Sequence, residues 1–149
     1  MIKIHNGKIL LLILAILLML TGCKIWLPWA KKVEMARSTP EGLYQQGVEE
    51  YQDRNFKRAV ELFQRVKEEY PLSTLAIMAE IGIADAHYSA KEYADARLVY
   101  AEFLNLHPTN ENLPYVMYQI GMCHFNMITT IDRDQSEAAK ALKEFERLA

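Results

Sequence analysis

Residues 47–71 read GVEEYQDRNFKRAVELFQRVKEEYP, and residues 84–108 read ADAHYSAKEYADARLVYAEFLNLHP. Placed one beneath the other, the two stretches match at a constant step of 37 residues. The step joins one small residue, two aromatics, an alanine and a closing proline: Gly47 and Ala84, Phe56 and Tyr93, Ala59 and Ala96, Phe63 and Tyr100, Pro71 and Pro108. Matching chemistry at five positions with one period predicts a structural repeat.

A third copy follows, with a changed second half. The same step reaches Gly121, and it relates one further aromatic in every copy: Tyr51, Tyr88 and Phe125. Ala141, however, lies 45 residues after Ala96, so eight residues have been inserted. We place the insertion around residues 129–135, a stretch that contains Asp132-Arg133-Asp134.

Each copy predicts two helices. Thr39 is a candidate N-cap with Pro40 in the first turn, and the first helix is predicted to end near Gln52. The turn at residues 53–55 precedes a second helix, which Pro71 stops. Apolar residues recur on this second helix at three- and four-residue steps: Phe56, Ala59, Val60, Phe63 and Val66.

The second and third copies repeat this plan. The second copy predicts a helix to about Ser89, a turn at residues 90–92, and a helix from Tyr93 that Pro108 closes. The third copy predicts a first helix from Pro114 to about Ile128. No useful length of sequence alternates with period two, so we predict an all-α solenoid of about three helical hairpins, at residues 39–72, 73–109 and 110–149.

The amino-terminal residues 1–22 predict a signal peptide. Lys3 and Lys8 precede an apolar run over residues 9–20, which is too short to cross a bilayer as a helix but suits a signal sequence. The run ends in Leu20-Thr21-Gly22-Cys23, which resembles the lipobox of bacterial lipoproteins. A signal anchor with an incidental cysteine is the alternative.

The lipobox resemblance implies cleavage before Cys23 and acyl chains on that residue, which would anchor the chain durably in a membrane. Residues 23–38 would then form a lipidated tether. Lys24 follows the cysteine where an aspartate would favour the inner membrane in enteric-type bacteria, so the resemblance implies the periplasmic face of the outer membrane. Trp26 and Trp29 suit a membrane interface or a partner contact.

The composition of the 127 residues that follow the signal peptide limits the classes of partner they can bind. Without Lys3 and Lys8, 15 basic residues face 19 acidic ones, a net charge of −4. The absence of a basic block argues against nucleic acid as the main partner. Once Cys23 is lipidated, Cys123 has no partner cysteine, and we interpret it as a small buried hydrophobe.

The repeat residues resemble the tetratricopeptide family. That pattern has a small residue where two helices cross, an aromatic opening the second helix, an alanine, a second aromatic and a closing proline. The resemblance implies stacked helical hairpins, with small residues letting the axes approach. The step exceeds the usual 34 or so residues, and the aromatic expected three residues after the small one is replaced by Glu50, His87 or His124.

The lipobox, the tether and the slightly long repeats together are similar to the BamD family, also called ComL. The insertion before the last predicted helix also matches, and the resemblance covers nearly all of the chain after the signal. It implies a lipoprotein scaffold of the outer-membrane β-barrel assembly (Bam) complex, with complex subunits and unfolded barrel proteins as partners. The alternative is a tetratricopeptide lipoprotein that organises another envelope assembly, such as a pilus or secretin complex.

The resemblance implies five repeats, whereas this sequence contains about three. We therefore expect this chain to be an amino-terminal fragment, in which Leu142, Phe145 and Leu148 form an apolar stripe that a further repeat would cover.

In tetratricopeptide folds the first helices of successive hairpins line a concave face. We predict a protein-binding groove from nine positions counted from the shared small residue: Tyr44, Val48, Tyr51, Ile81, Asp85, Tyr88, Tyr118, Met122 and Phe125. Most are aromatic or apolar, which is typical of interaction surfaces. The alternative is that Tyr51, Tyr88 and Phe125 pack within the array itself.

No motif indicates catalysis: we find no paired nucleophile and base and no glycine-rich phosphate loop. Cys123 and His124 with His87 fall short of zinc spacings. We therefore expect no enzyme activity, no metal, no small-molecule substrate and no cofactor beyond the lipid on Cys23. Asp132-Arg133-Asp134 is interpreted as solvated loop charge.

Overall fold

The computed structural model describes residues 38–128 and 135–148, and these form six α-helices without any strand. The helices, in chain order, are α1 (Pro40–Gln52), α2 (Phe56–Glu69), α3 (Thr74–Ser89), α4 (Tyr93–Leu106), α5 (Leu113–Asn126) and α6 (Ser136–Glu146). Each helix packs against the next one, and α1 also contacts α3. The predicted all-α array of nested hairpins is therefore confirmed. None of the described helices is both long and apolar enough to cross a membrane.

The predicted helix limits agree closely with the structure. The ends at Gln52 and Ser89 and the starts at Phe56 and Tyr93 are as predicted, whereas α5 begins one residue before Pro114 and ends at Asn126. Residues 129–134 of the insertion lie outside the described residues. So do the signal sequence, Cys23 and the two tryptophans.

Local sequence explains where the helices start. The hydroxyl oxygen of Thr39 accepts the Gly42 N–H at 3.1 Å, and that of Ser73 accepts the Leu75 N–H at 3.2 Å. Both are side-chain caps at the first helix of a hairpin. The turn before α4 is instead closed by backbone, since the Glu92 N–H donates to the His87 carbonyl at 2.9 Å. This turn requires Lys91 to adopt a positive φ of 66°.

Replacing Lys91 with glycine is expected to stabilise the protein. A left-handed backbone costs an L-residue about 1–2 kcal/mol, which glycine avoids. Glycine also loses more conformational entropy on folding, and this offsets part of the gain. We expect a net gain of about 0.5–1 kcal/mol in the free energy of unfolding, measured by urea titration. The control is Gln64→Gly, at an exposed position inside α2, which should lose about 1 kcal/mol. A loss in both variants would show that the turn carries no strain.

The core consists of two clusters of buried side chains, one within the first hairpin and α3, the other within α3, α4 and α5. Phe63 belongs to the first cluster and is only 3% exposed. Cys123 is fully buried in the second, and burial raises the pKa of its thiol to about 12, so the thiol stays protonated. The prediction that Cys123 is a core residue is confirmed.

Gly47 and Gly82 leave the space that the Phe63 ring occupies. A β-carbon on Gly47 would lie 2.6 Å from the Cε1 atom of Phe63, and one on Gly82 would lie 2.8 Å from Cε2. Glycine on α1 and glycine on α3 therefore admit the two edges of one ring from α2. The third hairpin repeats half of this arrangement, with Gly121 against Phe145.

The missing aromatic of the tetratricopeptide pattern is replaced by a polar contact that crosses each hairpin. Asn55 donates to Glu50 at 2.9 Å, His87 pairs with Glu92 at 2.6 Å, and His124 pairs with Glu137 at 2.5 Å. In every case the first helix is joined to a residue at the start of the second helix: Asn55 and Glu92 immediately precede α2 and α4, and Glu137 is the second residue of α6. Hydrogen bonds from Lys140 and His124 hold the pKa of Glu137 below its ordinary value.

Candidate protein-binding site

The nine predicted groove residues lie on α1, α3 and α5, and their exposure differs widely. Tyr118 and Phe125 on α5 are 48% and 57% exposed. Ile81 is only 7% exposed and packs in the second core cluster. The other six are half-buried: Tyr44, Val48, Tyr51, Asp85, Tyr88 and Met122. Ile81 therefore supports the face from beneath and adds little surface to it.

Tyr51 and Tyr88 make the same two contacts, one repeat apart. Tyr51 packs edge-on against Phe56 with ring centroids 5.6 Å apart, and its hydroxyl bonds the Ser89 hydroxyl at 2.8 Å. Tyr88 packs edge-on against Tyr93 at 5.4 Å and accepts from the Asn126 amide at 2.9 Å. Each of these tyrosines links one hairpin to the next. Tyr51 and Tyr88 therefore pack within the array, as the alternative interpretation predicted.

Phe125 occupies the equivalent place in the third hairpin without the equivalent partners. Residue 138, which corresponds there to Phe56 and Tyr93, is an alanine, and phenylalanine has no hydroxyl to bond. Tyr118 contacts Phe145 at a centroid distance of 5.9 Å, as Tyr44 contacts Phe63, and is 48% exposed among the described residues. The apolar surface of this face is thus concentrated on α5.

Asp85 carries the one charge among the nine positions. The hydroxyls of Tyr100 and Tyr115 both donate to its Oδ1 atom, the second at 2.7 Å, and Gln119 donates to the Tyr115 hydroxyl at 3.0 Å. Burial raises the pKa of Asp85 above its ordinary value, although the two hydroxyls lower it in part. Burial and the adjacent carboxylate raise the pKa of both tyrosines, which remain donors.

A small cavity opens beside this carboxylate between α1 and α3. Its volume is about 110 Å³. We call it the Asp85 pocket and define it by its lining residues: Tyr44, Val48, Tyr51, Phe63, Gly82 and Asp85. The rings of Tyr44 and Phe63 stand 5.4 Å apart within it, so the pocket has aromatic walls and a single carboxylate.

Sequence reasoning missed the tyrosines on Asp85 and a second polar cluster on α3. Glu80 is 8% exposed, accepts from His107 at 2.9 Å and lies 3.6 Å from the Lys67 amine. A usable signal was present in the repeat itself. Where the second copy has Asp85, the others have Val48 and Met122; where it has Glu80, the others have Leu43 and Met117.

The residues considered for a metal do not come together as one group. Cys123 lies in the core and His124 pairs with Glu137, while His87 lies beside Glu92 and Asp95. The ligand atoms of that last trio lie within 4.8 Å of one another, and both carboxylates are exposed. Such exposed carboxylates are common without an ion, and nothing else in the described residues points to a metal there.

Another cleft, of about 970 Å³, lies at the turns between the first two hairpins. Its walls are mainly long charged side chains, several of which already pair with one another, such as Arg58 with Glu61. The face of α1, α3 and α5 is therefore the better candidate for protein binding.

Nested helical hairpins with small residues at the helix crossings define a tetratricopeptide-type repeat protein, and an aromatic face on the first helices is the kind of surface that binds other proteins. The YfiO family, described as outer membrane lipoprotein, matches residues 36–149. This chain belongs to that family.

Similarity to individual curated proteins supports the same family. The chain is 29% identical over 146 residues to the outer membrane protein assembly factor BamD of Caulobacter vibrioides, a match that covers 95% of this chain and 47% of that protein. It is 29% identical to BamD of Rickettsia prowazekii over 93% of this chain and 54% of the relative. BamD of Neisseria gonorrhoeae matches 58% of the chain at 31% identity and is covered over 32% of its own length. The chain therefore spans about half the length, or less, of these relatives.

Proposed function

We propose that this chain is the repeat-bearing part of a lipid-anchored scaffold that assists assembly of β-barrel proteins into the outer membrane. The family described as outer membrane lipoprotein and the relatives named as outer membrane protein assembly factors support this proposal. The lipid on Cys23 would hold the repeats at the periplasmic face. Neither catalysis nor a cofactor is part of the proposed role.

The binding surface in this proposal is the face of α1, α3 and α5. The exposed aromatics Tyr118 and Phe125 are the observation that carries it. Tyr118 is 48% exposed although it packs on Phe145, and Phe125 has Ala138 where Tyr51 and Tyr88 have an aromatic partner. Large exposed rings are favoured anchors for a protein partner. An unfolded barrel protein supplies extended segments with alternating apolar side chains, which suit a row of apolar sites.

Site-specific photo-crosslinking tests the surface. A photoreactive phenylalanine analogue at Tyr118 should capture several unrelated barrel proteins in growing cells. The matched control places the same analogue at Leu98, which is 57% exposed against 48% for Tyr118 but lies on α4. Equal capture at both positions would contradict a specific binding face.

Depletion of the gene product tests the role. Loss of many unrelated barrel proteins from the outer membrane would support assembly, whereas a defect confined to pili or cell shape would favour the alternative envelope scaffold. Complementation with the Cys23→Ala variant should fail, and the variant should appear in the soluble periplasmic fraction. Continued sedimentation with the outer membrane would contradict the lipid anchor.

A further inference from the structure

The Asp85 pocket holds a carboxylate that no cation of the described chain neutralises. Within residues 38–128 and 135–148, Asp85 takes part in hydrogen bonds with Tyr100 and Tyr115 but in none of the ion pairs. The lining residues of the pocket include no lysine, arginine or histidine. A partly buried carboxylate without a counter-charge is unfavourable unless something else supplies one.

The geometry leaves one oxygen of this carboxylate available. Both tyrosine hydroxyls donate to Oδ1, and no described residue donates to Oδ2. No buried side-chain oxygen among the described residues lacks a partner, so Oδ2 reaches solvent. Asp85 is one of the six residues that line the pocket, so a group that enters the pocket comes beside this carboxylate.

The second hairpin needs a hydrogen-bond acceptor at this place, because the hydroxyl of the buried Tyr100 donates to Asp85. It does not need a negative charge there, since a neutral acceptor would serve that hydroxyl. Val48 and Met122 occupy the equivalent positions in the first and third copies, where Phe63 and Phe145 have no hydroxyl that needs an acceptor. In the second copy an asparagine would accept from Tyr100 without the cost of desolvating a charge. The raised pKa of Asp85, caused mainly by burial, reflects that cost. A charge kept at the expense of stability is typical of a functional position.

We propose that the Asp85 pocket binds the guanidinium group of an arginine carried by an extended protein segment lying on the face of α1, α3 and α5. Tyr44 and Tyr51 offer ring faces or edges to a flat, weakly hydrated cation, and the Oδ2 atom of Asp85 accepts one of its N–H groups. The pocket volume of about 110 Å³ equals the space of about four water molecules, enough for one side-chain end group. The inference deepens the proposed function and rests on it for the source of the segment.

Short peptides test the inference with the full chain. The probes are acetyl-Gly-Tyr-Xaa-Tyr-Gly-amide peptides in which Xaa is arginine or its uncharged isostere citrulline. Binding is measured at pH 7.5 and fixed salt from backbone amide shifts in NMR spectra of the labelled protein. We expect about tenfold tighter binding of the arginine peptide, with the largest shifts at Gly82 and Val48. A tenfold preference corresponds to about 1.4 kcal/mol.

The Asp85→Asn variant removes the charge and keeps a carbonyl oxygen for both tyrosine hydroxyls, so it should bind the two peptides equally. The control, Asp95→Asn, changes an exposed carboxylate on α4 outside the pocket and should keep the tenfold preference. Should Asp85→Asn fail to fold, Tyr44→Leu serves instead, and we expect it to reduce the preference about threefold. The variant spectra show whether the fold is retained.

Three results would overturn the inference: equal binding of both peptides by the unaltered chain, a preference that persists in Asp85→Asn, or no shifts at the pocket with either peptide. Failure of the pocket is distinguishable from failure of the assembly role. Arginine selection without capture of barrel proteins at Tyr118 would reject the assembly proposal alone. Capture without arginine selection would reject the pocket alone.

Discussion

Introducing alanine at both Gly47 and Gly82 is expected to cost more stability than the two single changes together. Each added methyl would stand far inside the 3.5–4.0 Å at which carbon atoms make favourable contact, and both would press on Phe63. In a single variant the ring can shift towards the remaining glycine. In the double variant both edges are blocked, and a ring that is 3% exposed has no route to solvent.

We expect a loss of about 1–3 kcal/mol for each single variant and a coupling of about 1–2 kcal/mol in the double-mutant cycle. The measurement is the free energy of unfolding from urea titration followed by circular dichroism. The sign is informative because alanine favours a helix over glycine by about 1 kcal/mol. If the ring had room, both variants would therefore be stabilised, and such a result would contradict the packing described above.

Two further variants separate overpacking from other effects. Replacing Phe63 with leucine in the double-alanine background should recover part of the loss, since leucine needs less width between the helices. Gly121→Ala should cost less than Gly47→Ala although its β-carbon approaches Phe145 equally closely. Phe145 is half-buried on the last described helix and has more freedom to move than Phe63.

Removing both partners of Glu80 is expected to be the second large effect. Lys67→Met keeps the apolar stem of the lysine, and His107→Phe keeps a ring against Phe103, which lies 4.7 Å from the histidine ring. The double variant leaves the 8%-exposed Glu80 carboxylate unpaired. An uncompensated buried charge costs about 3–5 kcal/mol, and because Lys67 is a third exposed we expect about 2–4 kcal/mol.

Glu80→Met should rescue that variant. Leu43 and Met117 stand at the equivalent positions of the other two hairpins, so the site accepts an apolar side chain. We expect the free energy of unfolding of the triple variant to lie within about 1 kcal/mol of that of the unaltered protein, because replacing a whole buried ion pair by hydrophobic residues is often neutral. A loss below about 0.5 kcal/mol in the double variant, or no rescue in the triple, would show that the pairs around Glu80 contribute nothing specific.

The fold could be predicted from the sequence because its signals are periodic. The 37-residue step fixed which residues correspond, and apolar spacing with Pro71 and Pro108 fixed where helices end. Thr39 acts as the predicted cap. These features depend on nearby residues, and local sequence reports local structure well.

The candidate site was less accessible to sequence reasoning. Counting along the first helices identified the face but could not distinguish Tyr118, which is open, from Ile81, which is buried by the neighbouring helices. Nor could it show that Tyr115 would reach Asp85 across 30 residues. Such contacts depend on how far one hairpin is rotated against the next, and no single segment encodes that rotation.

Two departures from the tetratricopeptide pattern limit which hairpins can be exchanged in this protein: the tyrosine that lies one place late, and the polar pair at the position where the pattern has an aromatic. A module taken from a standard tetratricopeptide library would bring its aromatic one place earlier, where His87 or His124 now pairs with a glutamate, and would lack the hydroxyl that Tyr51 shares with Ser89. Such a module would lose both the polar pair within its own hairpin and the hydrogen bond to the neighbouring hairpin. Chimeras of this protein therefore have to exchange neighbouring hairpins together, or borrow them from its own relatives.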